Sequence, residues 1–136
     1  WMQTCLTSKL ALDVWLPVTP VPAARIRVPR SKFARPFYPP RYEAFRVAAR
    51  PLVALLVGTN PIPGPLTVRL VFHCHRPKKP THPYPRGDID NYVKAILDSL
   101  NKQAYHDDSQ IEKLYASKVY AENVPGIALR IYTNVP

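Results

Sequence analysis

An α+β domain, a mixed β-sheet flanked by two main helices in the order β-α-β-α-β-β, is the fold class this sequence predicts. Three observations lead there. Apolar residues alternate with period 2 in four separate stretches. They recur with helical period in two others. Each helical stretch lies between strand-like ones rather than in a block of its own. With 136 residues the chain is read as one domain over 2–136, with Trp1, which stands before Met2, set aside.

The elements follow in order. "LALDVWL" places Leu10, Leu12, Val14 and Leu16 on one face of a first strand. Seven prolines between Pro17 and Pro40 then exclude helix and interior strand. "RYEAFRVAARPLVALL" predicts a helix from about Arg41 to Leu56, with Pro51 expected to kink or break it unless it sits in a first turn. "NPIPGP" is a turn, and "LTVRLVFHCHRP" a strand rich in β-branched and aromatic residues. After the rigid, basic "PKKPTHPYPRG", Asp90 or a neighbour caps a second helix that runs to about Asn101. Its buried stripe is expected to be Val93, Ile96, Leu97 and Leu100. "IEKLYASKVYA" and "GIALRIYTNV" read as two closing strands joined by a hairpin at Asn123–Gly126.

Charge narrows the function. Nineteen Lys and Arg oppose nine Asp and Glu, a formal +10, and the pI is near 9.9. A polyanionic partner follows, with nucleic acid favoured over membrane because no basic amphipathic helix with a broad apolar face is evident. No apolar run approaches the roughly 20 residues of a membrane span, and no signal-peptide pattern is read, so a cytoplasmic setting is expected. Cys5 and Cys74 fit neither a disulfide framework nor zinc spacing. His73 and His75 share one strand face with Cys74 on the other, so a zinc site lacks ligands there.

Against that basic background the acids are concentrated. Six of the nine fall between Arg86 and Leu114: Asp88, Asp90, Asp98, Asp107, Asp108 and Glu112. Asp90, Lys94 and Asp98 are spaced by four and share a helix flank. Two carboxylates 4 Å apart repel by about 4 kcal/mol at an effective dielectric of 20, so converging acids take up a proton or a hard cation. Oxygen-only ligands suit Mg²⁺, or Mn²⁺ as a substitute, better than zinc. Lys94 supplies a positive charge for a reacting phosphate. The plain alternative is that Asp90 caps a helix, Asp90–Lys94 is a solvated pair and Asp107–Asp108 a polar turn; spacing alone does not bring the two groups together.

"DIDNYVKAILDSLN…AYHDDSQI" closely resembles the motif of the RusA family of Holliday junction resolvases, D-x-D-N-x-x-K-x-x-x-D-x-L-N followed by aromatic-x-D-D-x-x-I. "PVPAARIRVPR…FYPPRYEAFR" and "GIALRIYTNV" are similar, more loosely, to its N-terminal region and closing strand. The resemblance implies a RusA-like fold and a homodimeric, metal-dependent endonuclease that nicks four-way DNA junctions symmetrically. It places the essential acids on Asp88, Asp90 and Asp108, with Asp107 beside them as a further metal ligand, and the important lysine on Lys94. Asn91 and Asp98 match the pattern in supporting roles. The departures are the long "RPKKPTHPYPRG" approach and His106, which bear on DNA contacts and cleavage preference. Leu66–Phe72 and Ile127–Tyr132 are candidate dimer surfaces.

The segment Arg25–Arg50 holds eight of the nineteen basic residues and one acid, Glu43, with aromatic residues interleaved. Arg25, Arg27, Arg30, Lys32 and Arg35 are candidate phosphate contacts, and Phe33 or Phe37 a wedge at a branch point. Lys78, Lys79 and Arg86 are expected to guide the strand toward the acids. Two rival readings remain: a non-catalytic basic nucleic-acid-binding protein, and a less selective flap or branched-DNA nuclease.

Overall fold

A computed structural model describes residues 8–134. Cys5 and Val135, which figure in the sequence reading, lie outside the described residues. The elements are β1 (Ser8–Leu16), α1 (Pro40–Leu56), β2 (Leu66–Cys74), α2 (Ile89–Leu100), a 3₁₀ turn (Asp108–Gln110), β3 (Ile111–Tyr120) and β4 (Gly126–Asn134). This is the expected order and the expected α+β class.

The four strands form one mixed sheet in the order β1-β4-β2-β3. β4 pairs antiparallel with both β1 and β2, while β3 runs parallel to β2. A parallel pair needs a crossover, and α2 supplies it, making β2-α2-β3 a βαβ unit. The expected hairpin at Asn123–Gly126 is therefore corrected: β3 and β4 are not neighbours, because β2 lies between them. The chain leaves β3 with Ala121 N–H donating to the Cys74 carbonyl at 2.8 Å, then passes the end of β2 to reach β4.

Composition explains the strand order. In β2 Leu66, Val68, Leu70, Phe72 and Cys74 are buried, as are Ile127, Leu129 and Ile131 in β4. Strands this apolar take the centre; β3, with Glu112, Lys113 and Lys118, takes an edge. The proposed dimer stretches thus turn out to lie in the two interior strands. Their apolar face packs beneath the helices, and the free edges belong to β1 and β3.

Helix α1 begins at Pro40 with Pro39 at its cap, where a fixed φ suits the first turn and no N–H is missed. It buries Tyr42, Phe45, Ala49 and Val53 at helical spacing and continues through Pro51 without a break. Pro51 has no N–H to offer the Val47 carbonyl one turn earlier, and Val47 is 65% exposed, on the outer side of the helix. Helix α2 buries Tyr92, Ala95, Ile96, Ser99 and Leu100. The stripe is rotated from the expected one, leaving Val93 and Leu97 only half-buried, because the aromatic Tyr92 packs on Phe72 with ring centres 5.5 Å apart.

Candidate active site and nucleic-acid interface

The approach to Asp88 is held from β3. Lys118 Nζ donates to the carbonyls of Pro85 and Gly87 at 2.7 and 2.6 Å, and Tyr120 Oη lies 2.9 and 2.8 Å from those of His82 and Tyr84, which share its single proton. Gly87 lies against the Tyr92 ring; a Cβ there would stand 2.6–2.7 Å from it. The proline-rich loop is thus fastened, and it delivers Asp88 to the N-terminus of α2. Asp88 occupies the cap position, yet its carboxylate makes no capping hydrogen bond. Asp90, in the first turn, accepts from Asn91 N–H at 3.0 Å. Both negative charges sit at the positive end of the helix dipole. Lys94 stands 3.9 Å from Asp98 on the same exposed flank.

The second acidic group is built differently. After α2, Lys102 adopts φ 65° and the chain turns back. Buried Tyr105 donates from Oη to the Leu97 carbonyl at 3.2 Å. Burial, followed by the charges of Asp108, Asp98 and Asp107, pushes the Tyr105 hydroxyl above its ordinary value, so it stays protonated. Asp107 caps the 3₁₀ turn by accepting from Ser109 N–H at 3.0 Å, and Gln110 Oε1 accepts from Asp107 N–H at 2.9 Å. These bonds to Ser109 hold the Asp107 carboxyl below its usual range. Gln110 Nε2 also donates to the Ile62 and Gly64 carbonyls at 2.9 and 2.8 Å, which fixes the turn beside the start of β2. Asp108 is exposed and, among the described residues, has neither a hydrogen bond nor a salt bridge for its carboxylate.

The two groups do not meet within one chain. Asp88 and Asp90 lie at the end of the sheet where β2 finishes, Asp107 and Asp108 at the end where β2 starts. Between them runs α2, twelve residues or about 18 Å long. Among the described residues no group of three or more His, Cys, Asp or Glu is placed to hold a metal ion. His73 packs on Trp15, ring centres 5.1 Å apart, and Cys74 is a buried free thiol.

The basic segment forms an arm. Arg27 and Phe37 exchange backbone bonds at 2.6 and 2.9 Å, and Ala34 N–H reaches the Ser31 carbonyl at 3.2 Å, closing the tip. Phe33 at that tip is 87% exposed. Arg25, Arg27, Arg30, Lys32 and Arg35 are all exposed, as are Lys78, Lys79 and Arg86 near the other loop. Among the described residues none of these eight has a carboxylate partner; the three salt bridges are Arg46–Glu43, Lys94–Asp98 and Arg130–Asp13.

The family model for endodeoxyribonuclease RusA matches residues 17–132, which span both the arm and the two acidic groups. The chain belongs to the RusA family. It is also similar to the uncharacterized protein YqaN of Bacillus subtilis (strain 168), 50% identical over 40 residues, which make up 29% of this chain and 28% of that protein. The match thus spans under a third of that relative. In this RusA-family chain sequence reading missed Gln110, Lys118 and Tyr120, the side chains that position the acidic loops. Each bonds to backbone carbonyls more than thirty residues away, and no local pattern announces such a bond.

Proposed function

We propose that the chain is a Mg²⁺-dependent endodeoxyribonuclease that resolves four-way DNA junctions by paired, symmetric nicks, with Mn²⁺ as a working substitute. The observation that carries this reading is the state of the acids. In a chain of formal charge +10, Asp88 and Asp108 keep carboxylates that no described hydrogen bond or cation satisfies, within a RusA-family match.

The donor set fits a hard cation. It is all oxygen, exposed and carboxylate, and Mg²⁺ is commonly held by one or two carboxylates plus water and substrate phosphate rather than by a protein cage. Asp88 and Asp90 would hold the ion, with Asp108 completing the set and Asp107 beside it. When bound, the ion supplies an activated water and charge stabilisation for the leaving oxygen. Lys94, steadied by Asp98, presents its ammonium to the non-bridging phosphate oxygens. Lys78, Lys79 and Arg86 draw the backbone toward α2, the arm arginines grip flanking phosphates, and Phe33 wedges at the branch point. The products are ligatable nicks with 5′-phosphate and 3′-hydroxyl ends.

Two symmetric cuts call for a homodimer. The separation along α2 gives that dimer a second task. A two-fold pairing in which the two α2 helices run antiparallel sets Asp88 and Asp90 of one copy against Asp108 of the other. Two complete sites follow per dimer. Among the described residues no helix is long and apolar enough to cross a membrane, and a bacterial or phage-infected cytoplasm is the proposed setting.

The test is cleavage of labelled four-way junction, flap, fork and linear duplex by the purified protein in Mg²⁺. Asp90→Asn is expected to keep junction binding and lose nicking. Unchanged cutting by that variant rejects the role of Asp90. Equal cutting of flap and fork points to a less selective nuclease, and binding without cutting in either Mg²⁺ or Mn²⁺ to a non-catalytic protein.

A further inference from the structure

Strand β3 is a free edge, bonded along its length to β2 on one side and, among the described residues, to no strand on the other. Its helix-facing side chains are poorly covered. Val68 and Leu70 of β2 are buried, whereas their register partners Leu114 and Ala116, on the same face of the sheet, are exposed, Leu114 at 42%. Helix α2 leaves a matching gap. On the flank turned to α1, Asp98 and Ser99 line a cleft shared with Arg46 and Arg50, and the core side carries Tyr92, Ile96 and Leu100. The remaining flank presents Ile89, Val93 and Leu97 at i, i+4 and i+8, exposed or half-buried. An apolar strip therefore runs between α2 and the β3 edge. An open edge of this kind is a template for another strand, and in β3 the charges of Glu112, Lys113 and Lys118 flank an uncharged run, Leu114 to Ser117.

We infer that β3 pairs antiparallel with β3 of a second copy about a two-fold axis at Tyr115, joining two four-stranded sheets into one of eight strands. The inference rests on the homodimer proposed above and names its surface. Charge sets the register. Pairing about Tyr115 places Glu112 opposite Lys118 of the partner subunit, and both have capacity left. Asn134 donates to Glu112 Oε1 at 3.1 Å, which leaves Oε2, and Lys118 spends two of its three N–H groups on loop carbonyls. Spacing agrees as well. Helix α2 lies over β2 and β3, with Tyr92 on Phe72 and the Gly87 carbonyl just before the helix bonded by Lys118. Paired strands are about 4.8 Å apart, so each α2 stands about one strand spacing from the axis. The two helices then run antiparallel about 10 Å apart, a packing distance, with Ile89, Val93 and Leu97 at the contact. Asp108, ahead of one β3, comes beside the end of the other, where Lys118 and Tyr120 hold the loop leading to Asp88. The other edge, β1, is bulged between Leu10 and Leu12 and lies at the far side of the sheet; pairing there would leave the two sets of acids apart.

Sedimentation equilibrium of the purified protein measures the dimer. Tyr115 faces its own symmetry mate across the axis and is 52% exposed within one chain. Tyr115→Lys and Tyr115→Glu should each weaken association about tenfold or more, because like charges then oppose each other directly. Mixing the two variants should restore most of the affinity, a recovery that damage to the fold would not give. Leu10→Lys, on the β1 edge, should leave the dimer unchanged. Hydrogen exchange of the wild type, read above and below the dimer dissociation constant, needs no variant. Amides of β3 should be protected only in the dimer, while those of β1 exchange alike at both concentrations. A dimer indifferent to both Tyr115 variants, no recovery on mixing, or protection on β1 instead of β3 overturns the β3 pairing and leaves the homodimer standing. A wild type that stays monomeric, alone and on the four-way junction, overturns the homodimer itself.

Discussion

Asp107 and Asp108 are neighbours with the same side chain and opposite circumstances. Asp107 spends its carboxylate on the cap of the 3₁₀ turn, whereas Asp108 is left unbonded among the described residues. Asp108→Asn should therefore reduce nicking by about 100-fold or more with an unchanged melting temperature, as expected when charge stabilisation worth several kcal/mol is withdrawn from the transition state. Asp107→Ala should lower the melting temperature. The pH dependence follows from the depressed Asp107 carboxyl: its contribution is present above the unfolded value, near pH 4, and is lost as pH falls through the lower folded value. Melting curves taken down through that acid range should show less pH dependence in Asp107→Ala than in wild type. Spacing alone made these two residues equivalent, and only the family resemblance set Asp108 among the essential acids with Asp107 beside it. What separates them is the backbone conformation of the turn and the anchoring of Gln110 to Ile62 and Gly64 across the fold.

Among the elements, α1 and β3 mark what pattern reading can and cannot do. The helix was legible because Tyr42, Phe45, Ala49 and Val53 repeat at helical spacing, but the pattern did not reveal that the helix runs on through Pro51, one turn after the exposed Val47. Proline in a helix interior still loses a hydrogen bond, so Pro51→Ala should stabilise the protein by about 1–3 kcal/mol, measurable by urea unfolding. A fall in stability would mean that the proline matters more through the unfolded chain than through the helix. β3 and β4 were both recognisable as strands from their period of 2, and that period is silent about pairing. The parallel β2-β3 pair and the intervening β2 follow from burial demand. β2 is apolar enough to lie between two neighbours, and β3, with its lysines and glutamate, is not. The acidic residues of the candidate site were legible by type and by motif, and so was their place before and after a helix; that the chain does not fold the two groups back together emerges only with the βαβ topology.

At the scale of the whole molecule, charge and assembly can each be tested. Replacing Arg25 and Arg27 together by alanine should weaken branched-DNA binding and reduce the slope of log affinity against log salt by about 1.8, the share of two phosphate contacts. An unchanged slope would remove the arm from the interface. Mixing Asp90→Asn protein with Asp108→Asn protein probes the shared site. A mixed dimer holds one doubly damaged site and one intact site, so random pairing of two inactive proteins should restore about a quarter of wild-type nicking, as single rather than paired cuts. No recovery after subunit exchange would mean that each chain assembles its site alone.

The length of α2 has one more implication if Asp88 and Asp108 act across copies. An isolated chain would then be an incompetent nuclease, harmless to the duplex DNA its positive charge attracts. Cutting would switch on only as concentration climbs past the dissociation constant of the pair, rising with the square of protein level when dilute. Twelve residues of helix would thereby set a threshold on DNA damage.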